Sequence, residues 1–184
     1  MQPMVTAALT RALFAEWART GYAALSLEAV ARRAGVGKAA LYRRWPKKSA
    51  MVADRLKAVG VELSAWPDTG TLEGDVRASL HDLRRLLRRP LVRRIVPDLH
   101  AELARSHELV AGVALLQRAR RDAAGDMLRR SIARGELRHD VDLELAADLV
   151  AAPLYWRAIV IRATDDDAYL ERLSRATLAA LRAL

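Results

Sequence analysis

The sequence predicts an all-helical protein of about nine helices. Apolar residues recur at intervals of three and four along most of the chain, and no stretch shows the strict alternation of a half-buried strand. Apolar residues make up 52% of the sequence but aromatics only 5%, so the apolar content is mostly Ala, Leu and Val, a mixture that favours helix. Glycines, prolines and capping residues fall where the periodic runs stop and start.

In the first segment Leu9, Leu13, Phe14, Trp17 and Ala18 share one helical face, and Gly21 is placed to end that helix. Ser26 offers an N-cap hydroxyl to a short second helix, residues 27–34, with Glu28 in its first turn. Leu27, Val30, Ala31 and Ala34 form its apolar stripe. Gly35-Val36-Gly37 makes a tight turn, and a third helix follows over 38–44, anchored by Leu41 and Trp45 and stopped by Pro46. A fourth helix over roughly 48–65 carries Met51, Val52, Leu56, Val59 and Leu63 towards a core. The segment Trp66 to Thr71 reads as a linker. Helices are then expected over 72–89, over 91–105 with Pro97 inside, and over 107–134, with Ser106 as cap and Gly135 as stop. The last two are expected over 143–162 and 166–183, with Thr164 as cap and Asp165, Asp166 and Asp167 at the positive end of the final helix.

The formal charge is +9, and its placement matters more than its size. Residues 1–55 hold ten basic and three acidic side chains, so the first third carries most of the excess. A basic module on a nearly neutral body points to a polyanion partner for that module. In the run Leu83 to Arg94, Leu83, Leu86 and Leu87 share one side while Arg84, Arg85, Arg88 and Arg89 share the other, which an amphipathic surface helix explains. No cysteine is present, so disulfides, thiolate metal sites and cysteine nucleophiles are excluded. His81, His100, His107 and His139 lack metal-ligand spacing, and no cofactor or metal is expected. Walker, dinucleotide and serine-hydrolase motifs are missing, which argues against an enzyme. Charges interrupt every apolar run before it reaches membrane-spanning length, so no membrane partner and a cytoplasmic location, on the nucleoid when DNA is bound, are expected.

Three short helices, a glycine turn and a third helix with basic and aromatic outward positions make a helix-turn-helix. A seven-residue helix is about 10 Å long and fits a major groove about 12 Å wide. The stretch FAEWARTGYAALSLEAVARRAGVGKAALYRRWPKKSAM resembles the DNA-binding domain of the TetR family of bacterial transcriptional regulators. The matching features are Trp17, Gly21 and Tyr22, the cap Ser26, the Ala34-Gly35-Val36 turn, Leu41-Tyr42, Trp45 and Lys48, within residues 9–51. The resemblance implies a recognition helix formed by Lys38, Ala39, Ala40, Tyr42, Arg43 and Arg44, with Ser26, Lys47, Lys48 and the Tyr42 hydroxyl on phosphates. Gly37 and Ala40 stand where a hydroxyl is frequent in the family, which shifts the expected base contacts onto Lys38, Arg43 and Arg44.

The resemblance further implies a division into a DNA-binding domain, 1–48, and an effector-binding and dimerisation domain, 49–184. The implied protein is a ligand-responsive regulator, expected to be a repressor. It would bind a near-palindromic double-stranded operator as a homodimer and be released by a small-molecule effector. Candidate pocket residues are His100, Leu103, Leu115, Met127, Tyr155 and Trp156, and candidate dimer residues are Leu149, Ile159, Leu170, Leu173, Thr177 and Leu181. Two other readings stay open at this stage. One is an activator or global DNA-binding protein of the same fold, and the other a helical carrier or enzyme with a vestigial helix-turn-helix.

Overall fold

The computed structural model describes residues 3–62 and 66–184, within which nine α-helices and one π-helical turn form and no strand does. The order is α1 (Pro3–Ala24), α2 (Leu27–Ala34), α3 (Lys38–Arg44), α4 (Lys48–Glu62), α5 (Leu72–Leu87), α6 (Pro90–Leu103), α7 (His107–Ala133), α8 (Leu143–Tyr155), the π-turn (Trp156–Val160) and α9 (Asp167–Ala183). Leu63 and the expected end of the fourth helix lie outside the described residues. The helices gather into two compact units, Met1–Gly60 with Pro90–Leu116, and Val61–Arg89 with Gln117–Leu184. This grouping is not a cut after residue 48, because Met51, Val52 and Leu56 of α4 and Ile95 and Leu99 of α6 share one core with α1 to α3.

In the first unit Leu9, Leu13, Trp17, Val30 and Leu41 are almost wholly excluded from solvent. Each stabilises the core by roughly 1.5–3 kcal/mol relative to an exposed position. The helical trace of α1 continues to Ala24 across a kink at Gly21, whose φ of 75° and ψ of 164° are not helical. That backbone favours glycine, and Asp98 of α6 secures it: the carboxylate Oδ2 accepts from Trp17 Nε1 at 2.6 Å and from the Tyr22 amide at 2.8 Å. The α2 helix closes in a full Schellman motif. Gly35 sits at φ 66°, its amide donates to the Arg32 carbonyl, and the Val36 amide donates to the Ala31 carbonyl at 3.0 Å.

In the second unit α5 and α8 pack together, and α9 packs on both. Leu72, Val76, Leu80, Leu128, Val150, Leu154, Leu178 and Leu181 form its interior. Asp75, fully buried, receives the Thr69 amide at 2.6 Å, the Thr69 hydroxyl at 2.8 Å and Arg134 at 3.4 Å, which ties the 66–71 segment to α5 and to the residue that follows α7.

Two expectations change here. The single helix expected over 143–162 is α8 followed by a π-turn, closed by the Ile161 amide on the Trp156 carbonyl at 3.1 Å. Pro153 supplies no amide, so the helical ladder is already broken one turn earlier. The second change concerns the three aspartates: Asp166, not Thr164, caps α9 by accepting from the Tyr169 amide at 2.8 Å. Asp165 is buried against Arg88 at 2.7 Å, and Asp167 pairs with Arg84 at 2.6 Å. Arg84 and Arg88 therefore tie α5 to the segment that opens α9 and are not simply a solvated face.

Candidate nucleic-acid interface

The α2-turn-α3 frame is held from inside by Leu27, Val30, Leu41 and Trp45, which leaves the outer side of α3 to its polar residues. Ser26 caps α2 by accepting from the Ala29 amide at 3.1 Å. Gly37, at the N-cap of α3, has extended backbone and no side chain to offer, as the sequence suggested.

Lys38, Ala39, Arg43, Arg44 and Lys47 are exposed, and Ala40, Tyr42 and Lys48 are half-buried. Glu28 reaches across from α2 to receive Lys38 Nζ at 2.8 Å and the Tyr42 hydroxyl at 2.7 Å on the same oxygen. The Lys38 and Tyr42 hydrogen bonds hold the Glu28 carboxyl at a pKa of about 2, and Glu28 in turn raises both partners. The Tyr42 hydroxyl, assigned to a phosphate by resemblance, is thus already engaged by a carboxylate, a group of the same charge sign and similar acceptor geometry.

The two candidate arginines differ. Arg44 lies over the Trp45 ring at 4.5 Å, and Asp54 accepts from Trp45 Nε1 at 2.8 Å beneath it. Arg43 has no ion pair or ring contact of this kind among the described residues and points its charge to solvent. Lys48 also has a structural task, donating to the Tyr22 and Ala23 carbonyls at 2.7 and 2.9 Å and so closing the C-terminal end of α1. Arg33 is bound to the buried Glu16 at 2.9 Å. Asp98 and Glu16, which help organise this face, were assigned no role in the sequence, and Glu28, expected only as an acid in the first turn of the second helix, proves to be the acceptor for Lys38 and Tyr42.

In the second unit two adjoining cavities of about 240 and 290 Å³ share Trp66, Leu83, Arg120 and Ala151. Of the six expected pocket residues, Tyr155 lines one of them. Met127 is fully buried in the core, where it receives the Ser79 hydroxyl at 3.8 Å, and Trp156 is exposed. His100, Leu103 and Leu115 belong to the first unit. Trp66, in the segment read as a linker, and Arg120, on α7, line both cavities without having been singled out in the sequence.

Of the six expected dimer residues, Ile159, Leu170, Thr177 and Leu181 are buried within the single chain, Leu170, Thr177 and Leu181 on the side of α9 that meets α5 and α8. A seam of near-heptad spacing identifies a buried face but not which chain buries it. Leu149 and Leu173 remain half-buried, and Leu145, Trp156 and Val160 are exposed.

The comparisons agree with this geometry in both halves of the chain. Residues 9–54 match the family described as bacterial regulatory proteins, tetR family, and residues 66–177 match the tetracyclin repressor-like C-terminal domain. The chain is 31% identical over 163 residues to the DNA-binding transcriptional repressor TetR of Mycobacteroides abscessus, covering 84% of this chain and 82% of that protein. It is 27% identical over 158 residues to the HTH-type transcriptional regulator YdeS of Bacillus subtilis, covering 83% and 77%. Among solved structures, the TetR family transcription regulator SCO0332 superposes with a TM-score of 0.76 at 30% identity, over 95% of this chain and 97% of that one. With a helix-turn-helix in its first unit and a C-terminal helical body matching the same family, the chain belongs to the TetR family of transcriptional regulators.

Proposed function

We propose that the protein is a cytoplasmic repressor that binds a near-palindromic operator as a homodimer and is released by a small-molecule effector, with no catalytic step of its own. The observation that carries DNA binding is the outer side of α3, where Lys38, Arg43 and Arg44 lie exposed while Leu41 and Trp45 hold the helix from behind. Residues 1–48 carry the DNA contacts in this reading and 49–184 the effector and dimer functions. Arg43 reads a base edge, and Lys38 and Tyr42 exchange Glu28 for a phosphate oxygen.

Dimerisation falls to the outward faces of α8, the π-turn and α9. Leu145, Leu149, Trp156 and Val160 recur at intervals of four, seven and four residues, with Leu145, Trp156 and Val160 each more than two-fifths exposed. An apolar face of that kind on a folded chain suits a two-fold contact with a second copy. The effector site is the cavity pair around Trp66 and Arg120. Arg120 lies on α7, whose first residues, His107–Leu116, belong to the unit that carries α3. Ligand binding in the cavity pair lowers operator affinity, a coupling typically of about 1–3 kcal/mol.

Selection of bound fragments from a random DNA pool tests the reading directly. A palindrome with half-sites about one helical turn apart or a multiple of it is expected. Recovery of a non-palindromic consensus, or of no enriched sequence at moderate salt, refutes it. Sedimentation of the free protein should show a dimer.

A further inference from the structure

We propose that the cavity pair of the second unit takes a small amphipathic carboxylate, its anionic group received by Arg120 and its apolar body lying against Trp66, Leu83 and Ala151. The proposal rests on the effector reading above and gives that effector a chemical class.

The starting point is the state of Arg120. It is half-buried, it lines both cavities, and among the described residues it has no carboxylate partner. Arg89, which lines one of the same cavities, and Arg118 also have no carboxylate partner among the described residues but stand exposed to solvent, and the other arginines beside the cavities are paired. Arg85 pairs with Asp82 at 2.9 Å, Arg121 with Glu144 at 3.2 Å and Asp148 at 3.6 Å, and Arg130 with Asp68 at 3.4 Å. Burial pushes the Arg120 guanidinium below its usual pKa, with Tyr155 acting weakly in the other direction. Arginine nevertheless stays protonated, so the chain keeps a partly desolvated cation without an internal counter-charge.

Charge and shape then narrow the ligand. Lining the two cavities are Arg85, Arg89, Arg120 and Arg121 against Asp82 and Asp148, an excess of positive charge that disfavours cationic ligands. A guanidinium presents a planar fork that matches a carboxylate in two parallel hydrogen bonds. Apart from Gln117 and Ser79, the remaining uncharged lining is apolar or aromatic, including Ala147, Ala152 and Tyr155, so the rest of the ligand is a flat ring or a short chain. Cavities of about 240 and 290 Å³ exclude bulky ligands from either one alone.

The test uses the full chain and titration calorimetry with matched pairs: 2-naphthoate and 2-naphthamide, indole-3-acetate and indole-3-acetamide, octanoate and octanamide, with inorganic phosphate alongside. At least one carboxylate should bind about tenfold or more tightly than its amide, and Arg120→Gln should abolish that preference. Arg120→Lys, which keeps the charge but loses the fork, should fall between. Without ligand, Arg120→Gln should melt no lower than wild type, because it removes an uncompensated cation, whereas a purely structural arginine would lower the melting temperature. If Arg120→Gln does not fold, the wild-type pairs and Arg120→Lys decide the matter. The proposal is overturned if no carboxylate binds at millimolar concentration, if amides bind as tightly, if only phosphate binds, or if Arg120→Gln keeps the preference. The two readings fail separately. An amide that binds and releases operator DNA overturns the carboxylate class and leaves the effector reading standing, while a carboxylate that binds through Arg120 and leaves the operator bound keeps the site and overturns its effector role.

Discussion

Replacing Asp98 by alanine should loosen the frame that holds the helix-turn-helix. Both of its described hydrogen bonds converge on one oxygen, Oδ2, from Trp17 Nε1 at 2.6 Å and from the Tyr22 amide at 2.8 Å. Trp17 is 1% exposed, so its indole donor has no route to bulk water once the carboxylate is gone. Each orphaned donor costs about 1–3 kcal/mol, and because Asp98 itself is half-buried, water reaches the Tyr22 amide more readily. The expected loss is about 2–4 kcal/mol for Asp98→Ala. Asparagine can place its carbonyl oxygen where Oδ2 stands and accept both bonds without the charge, so Asp98→Asn should cost roughly 1 kcal/mol. Guanidinium denaturation gives the global figure, and exchange of the Tyr22 amide, followed by NMR, reads the bond directly. A loss below about 0.5 kcal/mol for Asp98→Ala would refute the hub. Equal losses for the two variants would refute the single-oxygen geometry.

Arg43→Ala should lower operator affinity by about 1–3 kcal/mol, whereas Arg44→Ala, which mainly uncovers the Trp45 ring, should cost less in DNA binding and show in thermal stability; equal losses of affinity in an anisotropy titration would undo the distinction. Glu28→Gln should tighten non-specific DNA binding at low salt and steepen the dependence of log K on log salt by about one, because Lys38 becomes available to a phosphate; an unchanged slope counts against the exchange. The folded-state pKa of Glu28 is lowered to about 2, so its contribution is complete above the unfolded value near 4.5 and is lost only as pH falls through about 2. The Lys38 and Tyr42 contacts should therefore be unchanged between pH 5 and 8, and a carboxyl resonance of Glu28 titrating above pH 4 would contradict this. Gly37→Ser should stabilise α3 by a few tenths of a kcal/mol, since φ −62° suits any residue and a Cβ there meets nothing within 4 Å; a drop in melting temperature would show that the cap site is constrained by something else.

Local rules accounted for most of the helices because each boundary has a local cause. Ser26, Gly35 and Gly135 act through their own backbone neighbours, and so the sequence pattern located them. The failures came where a distant group intervened. Thr164 and Asp166 are both competent caps by residue type; Asp166 takes the role, while Arg84 on α5 and Arg88 just after it hold the neighbouring Asp167 and Asp165 from outside that helix. The π-turn arises after Pro153 has already broken the ladder, and no pattern of apolar residues distinguishes that from a helix that simply continues.

The same division separates the legible part of the binding face from the hidden part. Cations on α3 could be counted, but which of them are available depends on acids contributed by other helices: Glu28 from α2 takes Lys38 and Tyr42, and Asp54 from α4 lies under Arg44 and Trp45. A basic run therefore sets the charge of the face, and the acids behind it decide which side chain meets DNA first. Acids select among the arginines of the second unit in the same way. In its arginine-rich surface Arg84, Arg85, Arg88, Arg121, Arg130 and Arg134 each have an internal carboxylate, Arg89 and Arg118 have none among the described residues but are exposed, and Arg120 is set apart by lacking one where it is half-buried and solvent cannot fully replace it. Among so many arginines, it is the missing partner together with burial that marks the residue with work still to do.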